Sequence, residues 1–262
     1  MDFKENFKIG GGPIEIGNNF YEKSSISLLS FAIIYKENEQ IHTKYFDYFS
    51  KILSHDSLFV TNCVSKLFTH PFLSHFHEIY FWSDSGPHFR SAELMHFIFE
   101  YLPTIYNKKF FVNFFMEYHG KNIVDGHFGV LSRWFAEGEA VRYINTIEDL
   151  INLLKSKALT NMEFDIYSNT EPRLNIHKLI IDNFRSHMSF CKVNNKLYAS
   201  TISTLVDADY VEVHSNIKIT GDKRKTKYTL ERKAVDVNVP IIMGSQNKKT
   251  LSTRAQLTQN LQ

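Results

Sequence analysis

The stretch Phe81-Trp82-Ser83-Asp84-Ser85-Gly86-Pro87-His88-Phe89-Arg90 ends an apolar run on an acid and then changes character. Upstream, residues 78–82 read as a buried strand that closes on Ser83 and Asp84. Downstream, Ser85 and Gly86 offer a cap and Pro87 suits a first helical position. Ala92, Met95, Phe99 and Leu102 then follow at helical steps, and Pro103 is expected to end the helix. Residues 110–116 are again almost wholly apolar, as expected of a strand covered on both faces. Strand, helix and strand in this order make a βαβ unit with a parallel pair and a right-handed crossover.

Working outward, residues 2–9 alternate in part and end at the Gly10-Gly11-Gly12-Pro13 turn. That cluster lacks the Gly-Lys-Ser/Thr ending of a phosphate loop. Residues 27–35 and 41–49 read as hairpin partners around a polar turn, and residues 56–69 as a helix. The expectation is an antiparallel meander of three strands joined to the parallel pair. Beyond it, residues 125–134 read as a helix with Val124, Phe128, Leu131 and Phe135 on one face. A further helix, 145–157, is capped by Thr146 with Asp149 three residues on. Short strands follow at 163–167, 188–193, 196–201, 210–219 and 226–233. The expected organisation is an α/β core over 1–158, a small β-rich region over 159–240, and a polar, disordered tail over 241–262.

Composition sets the class. Of 262 residues 43% are hydrophobic, and 23 Phe and 13 Tyr outweigh 6 Pro and 11 Gly, so an aromatic-packed core is expected rather than a disordered chain. Cys63 and Cys191 stand alone, which gives neither a disulfide framework nor a zinc site. His70, His75 and His77 invite a zinc reading that Pro71 and the lack of partner cysteines argue against. Charged residues follow Met1 directly, and no apolar run reaches the roughly 18–20 residues that span a bilayer. The expectation is a soluble intracellular protein without a membrane.

Net charge is only +2, but it is unevenly spread. Lys218, Lys223, Arg224, Lys225, Lys227, Arg232 and Lys233 face only Asp222 and Glu231 over one short segment. Such a stripe can neutralise phosphates on a nucleic-acid backbone. It reads equally as a solvated hairpin with Lys along its edges.

Three acids sit where strands and helices meet: Asp2 in the first strand, Asp84 after the fourth, and Asp125 at a helix start. Two carboxylates about 4 Å apart repel by roughly 4 kcal/mol at an effective dielectric of about 20. A convergent trio therefore needs cations or shared protons. Each acid also has a plainer reading: Asp84 as a helix cap, Asp125 as a dipole-favoured helix-start acid, Asp2 as a frayed chain end. Glu117 competes with Asp125 for the third place, and His119 and Lys121 are placed to contact a phosphate or orient a carboxylate. His127 is a lesser candidate beside Asp125. Glu137 and Glu139 lie roughly 18–21 Å along the helix from Asp125, too far to join it.

The joint pattern of Asp2-Phe3-Lys4-Glu5-Asn6, Trp82-Ser83-Asp84-Ser85, Phe89-Arg90, His119-Gly120-Lys121, Asp125-Gly126 and Gly129 resembles the catalytic core of DDE-type transposases of eukaryotic DNA transposons. The resemblance spans roughly residues 2–145. It implies an RNase H-like fold: a mixed five-stranded sheet flanked by helices, three strands antiparallel and two parallel. It further implies Asp2, Asp84 and Asp125 as catalytic ligands of Mg²⁺ or Mn²⁺, DNA as partner, a homo-oligomer and a nuclear location. The DNA-binding segment such proteins carry ahead of the core is not in this sequence, and the Ser-Gly-Pro-His run after Asp84 departs from the pattern. The alternatives are a catalytically inactive transposon remnant that at most binds nucleic acid, and an RNase H-like exonuclease drawing on Asp149 or Asp182.

Overall fold

The parallel pair forms as its apolar runs require. In the computed structural model, which describes residues 1–14, 23–115, 123–168, 175–203 and 209–221, strand β4 (Glu78–Ser83) lies parallel to β5 (Lys109–Phe114), with Phe81 opposite Val112. The meander also forms: β1 (Asp2–Ile9), β2 (Ser24–Glu37) and β3 (Gln40–Ser50) pair antiparallel. The molecule is of the mixed α/β class.

Helices cover both faces of the meander, and residue alternation along β2 sorts the core. Leu29 and Phe31 pack with α1 (Ser57–Phe68) and with α2 (Ala92–His96) in one aromatic cluster that also holds Phe81, Phe110 and Val112. Ile26 and Leu28 point the other way, into a cluster with α4 (Ile123–Glu139) and α5 (Ile147–Lys157). Between α2 and α3 (Leu102–Ile105) the chain makes a π turn, Phe97–Tyr101. Pro103 therefore does not end the helix as expected. It sits in the first turn of α3, where a missing N–H is tolerated.

Strands after α5 lie against those before it. β6 (Met162–Ile166) runs parallel to β3, while β8 (Ser189–Val193), β9 (Lys196–Ser200) and β10 (Val211–Glu212) extend the sheet from β5. β7 (Asn175–Ile181) pairs with β11 (Ser215–Gly221). The single strand expected over 210–219 is thus two, and β7 was not expected. Residues Met1–Gly221 form one compact unit. The strand expected over 226–233 and the tail over 241–262 lie outside the described residues. Among the described residues no helix is long and apolar enough to cross a membrane.

Two details place the acids. β1 carries a bulge between Lys4 and Phe7, so that Asp2 opposite Ser30 and Phe7 opposite Ile26 share one sheet face although they are an odd number of residues apart. That is the face covered by α4 and α5. β1 also covers β2 only from Ser24 to Ser30. Beyond Phe31 this edge of β2 has no strand beside it among the described residues, and neither has the edge of β4 turned away from β5. At the far end of this gap the Tyr35 and Phe76 rings meet at 5.9 Å. At the near end the Met1 amine donates to the Trp82 carbonyl at 2.8 Å.

Candidate active site

Asp2 opens β1 and is anything but frayed. The Met1 amine beside it is buried, and its pKa falls to about 6 because burial disfavours the charge. The Asp2 carboxyl moves the opposite way, up to about 6. Desolvation is the largest cause, the nearby Asp84 carboxylate the second, and Asp125 adds a smaller push in the same direction. Its Oδ1 accepts from the Phe3 N–H at 2.8 Å. Acids from a strand start, a strand end and a helix start therefore act on one another through space.

Asp84 does not cap a helix. Its Oδ1 accepts from the Gly86 N–H at 2.8 Å, and residues Gly86 to Arg90 form a turn closed by Arg90 N–H to Gly86 O at 2.7 Å. The helix begins later, at Ala92, with Ser91 as its cap. Pro87 stands in the turn instead of at a first helical position, and the helix starts where the Ser91 Oγ accepts from the Leu94 N–H at 3.1 Å. Asp84 is 55% exposed, so its carboxylate is open to an incoming ligand.

Asp125 is the third residue of α4 and is exposed. Val124, His127, Phe128 and Leu131 form the buried stripe of that helix, and Asp125 sits on its flank. The helix runs unbroken to Glu139. Glu137 pairs with Lys157 at 2.5 Å and Glu139 with Lys23 at 3.4 Å, so both are engaged elsewhere. Glu117, His119 and Lys121 lie outside the described residues. Among the described residues no group of three His, Cys, Asp or Glu side chains stands closed for a metal ion.

Two imidazoles that the sequence did not mark meet Phe3, and one of them stands beside Asp84. The His88 Nε2 is 3.9 Å from Asp84 Oδ1. The His55 ring stacks on Phe3 at 4.1 Å, and His88 meets Phe3 edge-on at 5.0 Å. Burial lowers both pKa values, and neither Nε2 has a hydrogen-bond partner among the described residues. Gly86 makes room for this: a Cβ there would lie 2.8 Å from His88 Cε1 and 2.9 Å from Asp84 Oδ1. The only sequence hint was the Gly-Pro-His run itself.

Arg90 braces the loop. It donates to Phe184 O at 3.0 Å, His187 O at 2.5 Å and Ser85 Oγ at 3.3 Å, and lies over the Phe114 and Phe184 rings. The other expected residues play quieter parts. His70 Nδ1 accepts from the Phe72 N–H, and Asp149 completes the capping box of α5 with Thr146. Cys63 and Cys191 are buried free thiols. Of the basic stripe, Lys218 is exposed on β11, in register with Lys178. Lys223, Arg224, Lys225, Lys227, Arg232 and Lys233 lie outside the described residues.

A family model described as a domain of unknown function (DUF8701) matches residues 1–198, and the chain belongs to that family. No curated protein and no solved structure gives a match.

Proposed function

We propose that the chain is an RNase H-like catalytic core of the DDE transposase type, cleaving and joining DNA phosphodiesters. The observation that carries this reading is the Met1–Trp82 hydrogen bond, which sets Asp2 at the start of β1 beside the end of β4 where Asp84 follows. A meander followed by a parallel β4–β5 pair, with acids at β1, after β4 and on α4, supports it further.

Three hard carboxylates suit Mg²⁺ or Mn²⁺, and their mutual repulsion is what a cation would relieve. Asp2, Asp84 and Asp125 would hold the ions, which supply charge neutralisation and polarise an attacking water or 3′ hydroxyl. Asp2 must lose its proton first, so its raised pKa ties binding to pH. Gly86 and Arg90 hold the Asp84 turn in place, and Phe3 and His88 wall it on the apolar side. The segment 218–233 would follow the DNA backbone, its grip weakening steeply with salt. A nuclear location and self-association belong to the same reading.

A second reading, a remnant that binds nucleic acid without cutting it, draws on the arrangement of the acids. They do not close into a ligand set among the described residues, and Asp2 and Asp84 each spend one oxygen on a neighbouring N–H. Nicking of supercoiled plasmid in Mg²⁺ or Mn²⁺ decides between the two. The enzyme should lose at least about a hundredfold in rate with Asp84→Asn or Asp125→Asn. Equal rates for wild type and both variants would leave only binding.

A further inference from the structure

His127 lies two residues past Asp125 and is taken up by a partner from another strand. Its Nε2–H donates to Asp47 Oδ2 on β3 at 2.8 Å, with side chains 1% and 0% exposed. The Ser30 hydroxyl on β2 donates to the other oxygen, Asp47 Oδ1. The Tyr45 ring stacks on the imidazole at 4.0 Å and 12°. Asp2, Ser30 and Asp47 are directly opposite one another across β1, β2 and β3, so one cross-strand row carries both the candidate acid and the anchor of the imidazole.

Near Asp125 the buried stripe of α4 is otherwise apolar, and the Glu139–Lys23 pair lies at the far end of the helix. Val124, Phe128 and Leu131 would tolerate small slides and rotations, because dispersion contacts have no direction. A slip of one residue turns a helix by about 100° and shifts it about 1.5 Å, enough to carry Asp125 away from Asp2. A buried, directional bond two residues past Asp125 forbids it. From this geometry we infer that Asp47 and His127 are positioning residues, fixing the rotation and depth of α4 so that Asp125 is presented to the row that carries Asp2. The inference rests on Asp125 being a metal-holding carboxylate of the proposed site.

The test is Mn²⁺ titration of plasmid nicking, with direct Mn²⁺ binding followed by electron paramagnetic resonance on the full chain. His127→Leu breaks the bond. The double variant Asp47→Asn/His127→Leu breaks it without leaving a buried unpaired charge, since the new side-chain amide can still accept from Ser30. Both should raise the Mn²⁺ concentration for half-maximal nicking by about 10–100-fold, with the rate recovering at saturating Mn²⁺. Asp47→Asn alone keeps an acceptor for the imidazole and should stay within about threefold of wild type. A folded double variant with an unmoved Mn²⁺ midpoint overturns the inference while the proposed function stands. A double variant that does not fold assigns the pair to the fold and overturns it too. A wild type that neither binds Mn²⁺ nor nicks removes the proposed function, and this inference with it.

Discussion

The α-amine of Met1 donates a 2.8 Å hydrogen bond to the carbonyl oxygen of Trp82, joining the start of β1 to the end of β4. It brings Asp2 within the field of Asp84, and it buries an amine and a carboxyl side by side.

The pair should give the metal-free protein a dip in stability near pH 6. Asp2 has a folded pKa of about 6 against an ordinary 3.8, so the folded state holds the extra proton between these values and stability falls as pH rises through them. Met1 has a folded pKa of about 6 against 8.0, so the folded state holds fewer protons there and stability climbs from pH 6 to 8. Allowing for solvent screening, each limb is on the order of 1 kcal/mol, or about 2–4 °C in Tm. Thermal unfolding should show Asp2→Asn flattening the lower limb and Nα-acetylation the upper. Superimposable profiles for wild type and Asp2→Asn would refute the assignment.

Truncating Asp47 should be among the most damaging single changes. Asp47→Ala strands the His127 Nε2–H and the Ser30 hydroxyl in a dry interior, at a cost of roughly 3–5 kcal/mol. Urea midpoints measure it directly, and a loss under about 1 kcal/mol would mean that water reaches the site.

Arg90→Ala should cost about 2–4 kcal/mol, because the Phe184 and His187 carbonyls lose their shared donor and two rings lose their cover. Arg90→Lys should recover less than half, since one ammonium cannot serve both carbonyls and Ser85 Oγ at once and has no plane to lie over the two rings. Equal stability of the Lys variant and wild type in urea would show that charge alone suffices.

Gly86→Ala separates site geometry from stability. The added methyl meets His88 and Asp84, not backbone, so the fold should lose no more than about 1 kcal/mol. Metal-dependent nicking should nevertheless fall by tenfold or more, because the displaced group is the Asp84 carboxylate or its neighbour. Nicking at the wild-type rate would show that the Asp84 turn needs no such fit.

The local elements were legible because their causes are local. The apolar runs of β4 and β5 and the Thr146–Asp149 capping box of α5 need no distant partner to be read. The helix after Asp84 was set too early because Pro87 fits a turn as well as a helix start, and only the Ser91 cap distinguishes them. The bulge in β1 is a property of pairing with β2, so nothing in residues 2–9 announces it. Asp47 and His127 are 80 residues apart, and β3 marks its acid as one more polar residue in an alternating run. His55 and His88 both meet Phe3, and the three come from separate segments.

The gap beside β1 has a practical edge for anyone handling the protein. Residues fused ahead of Met1 would not trail into solvent. They would start at the Trp82 carbonyl, beside the end of β4 and next to the stretch of β2 that β1 leaves uncovered. An amino-terminal affinity tag thus starts beside open strand edges, able to pair with them or to disturb them.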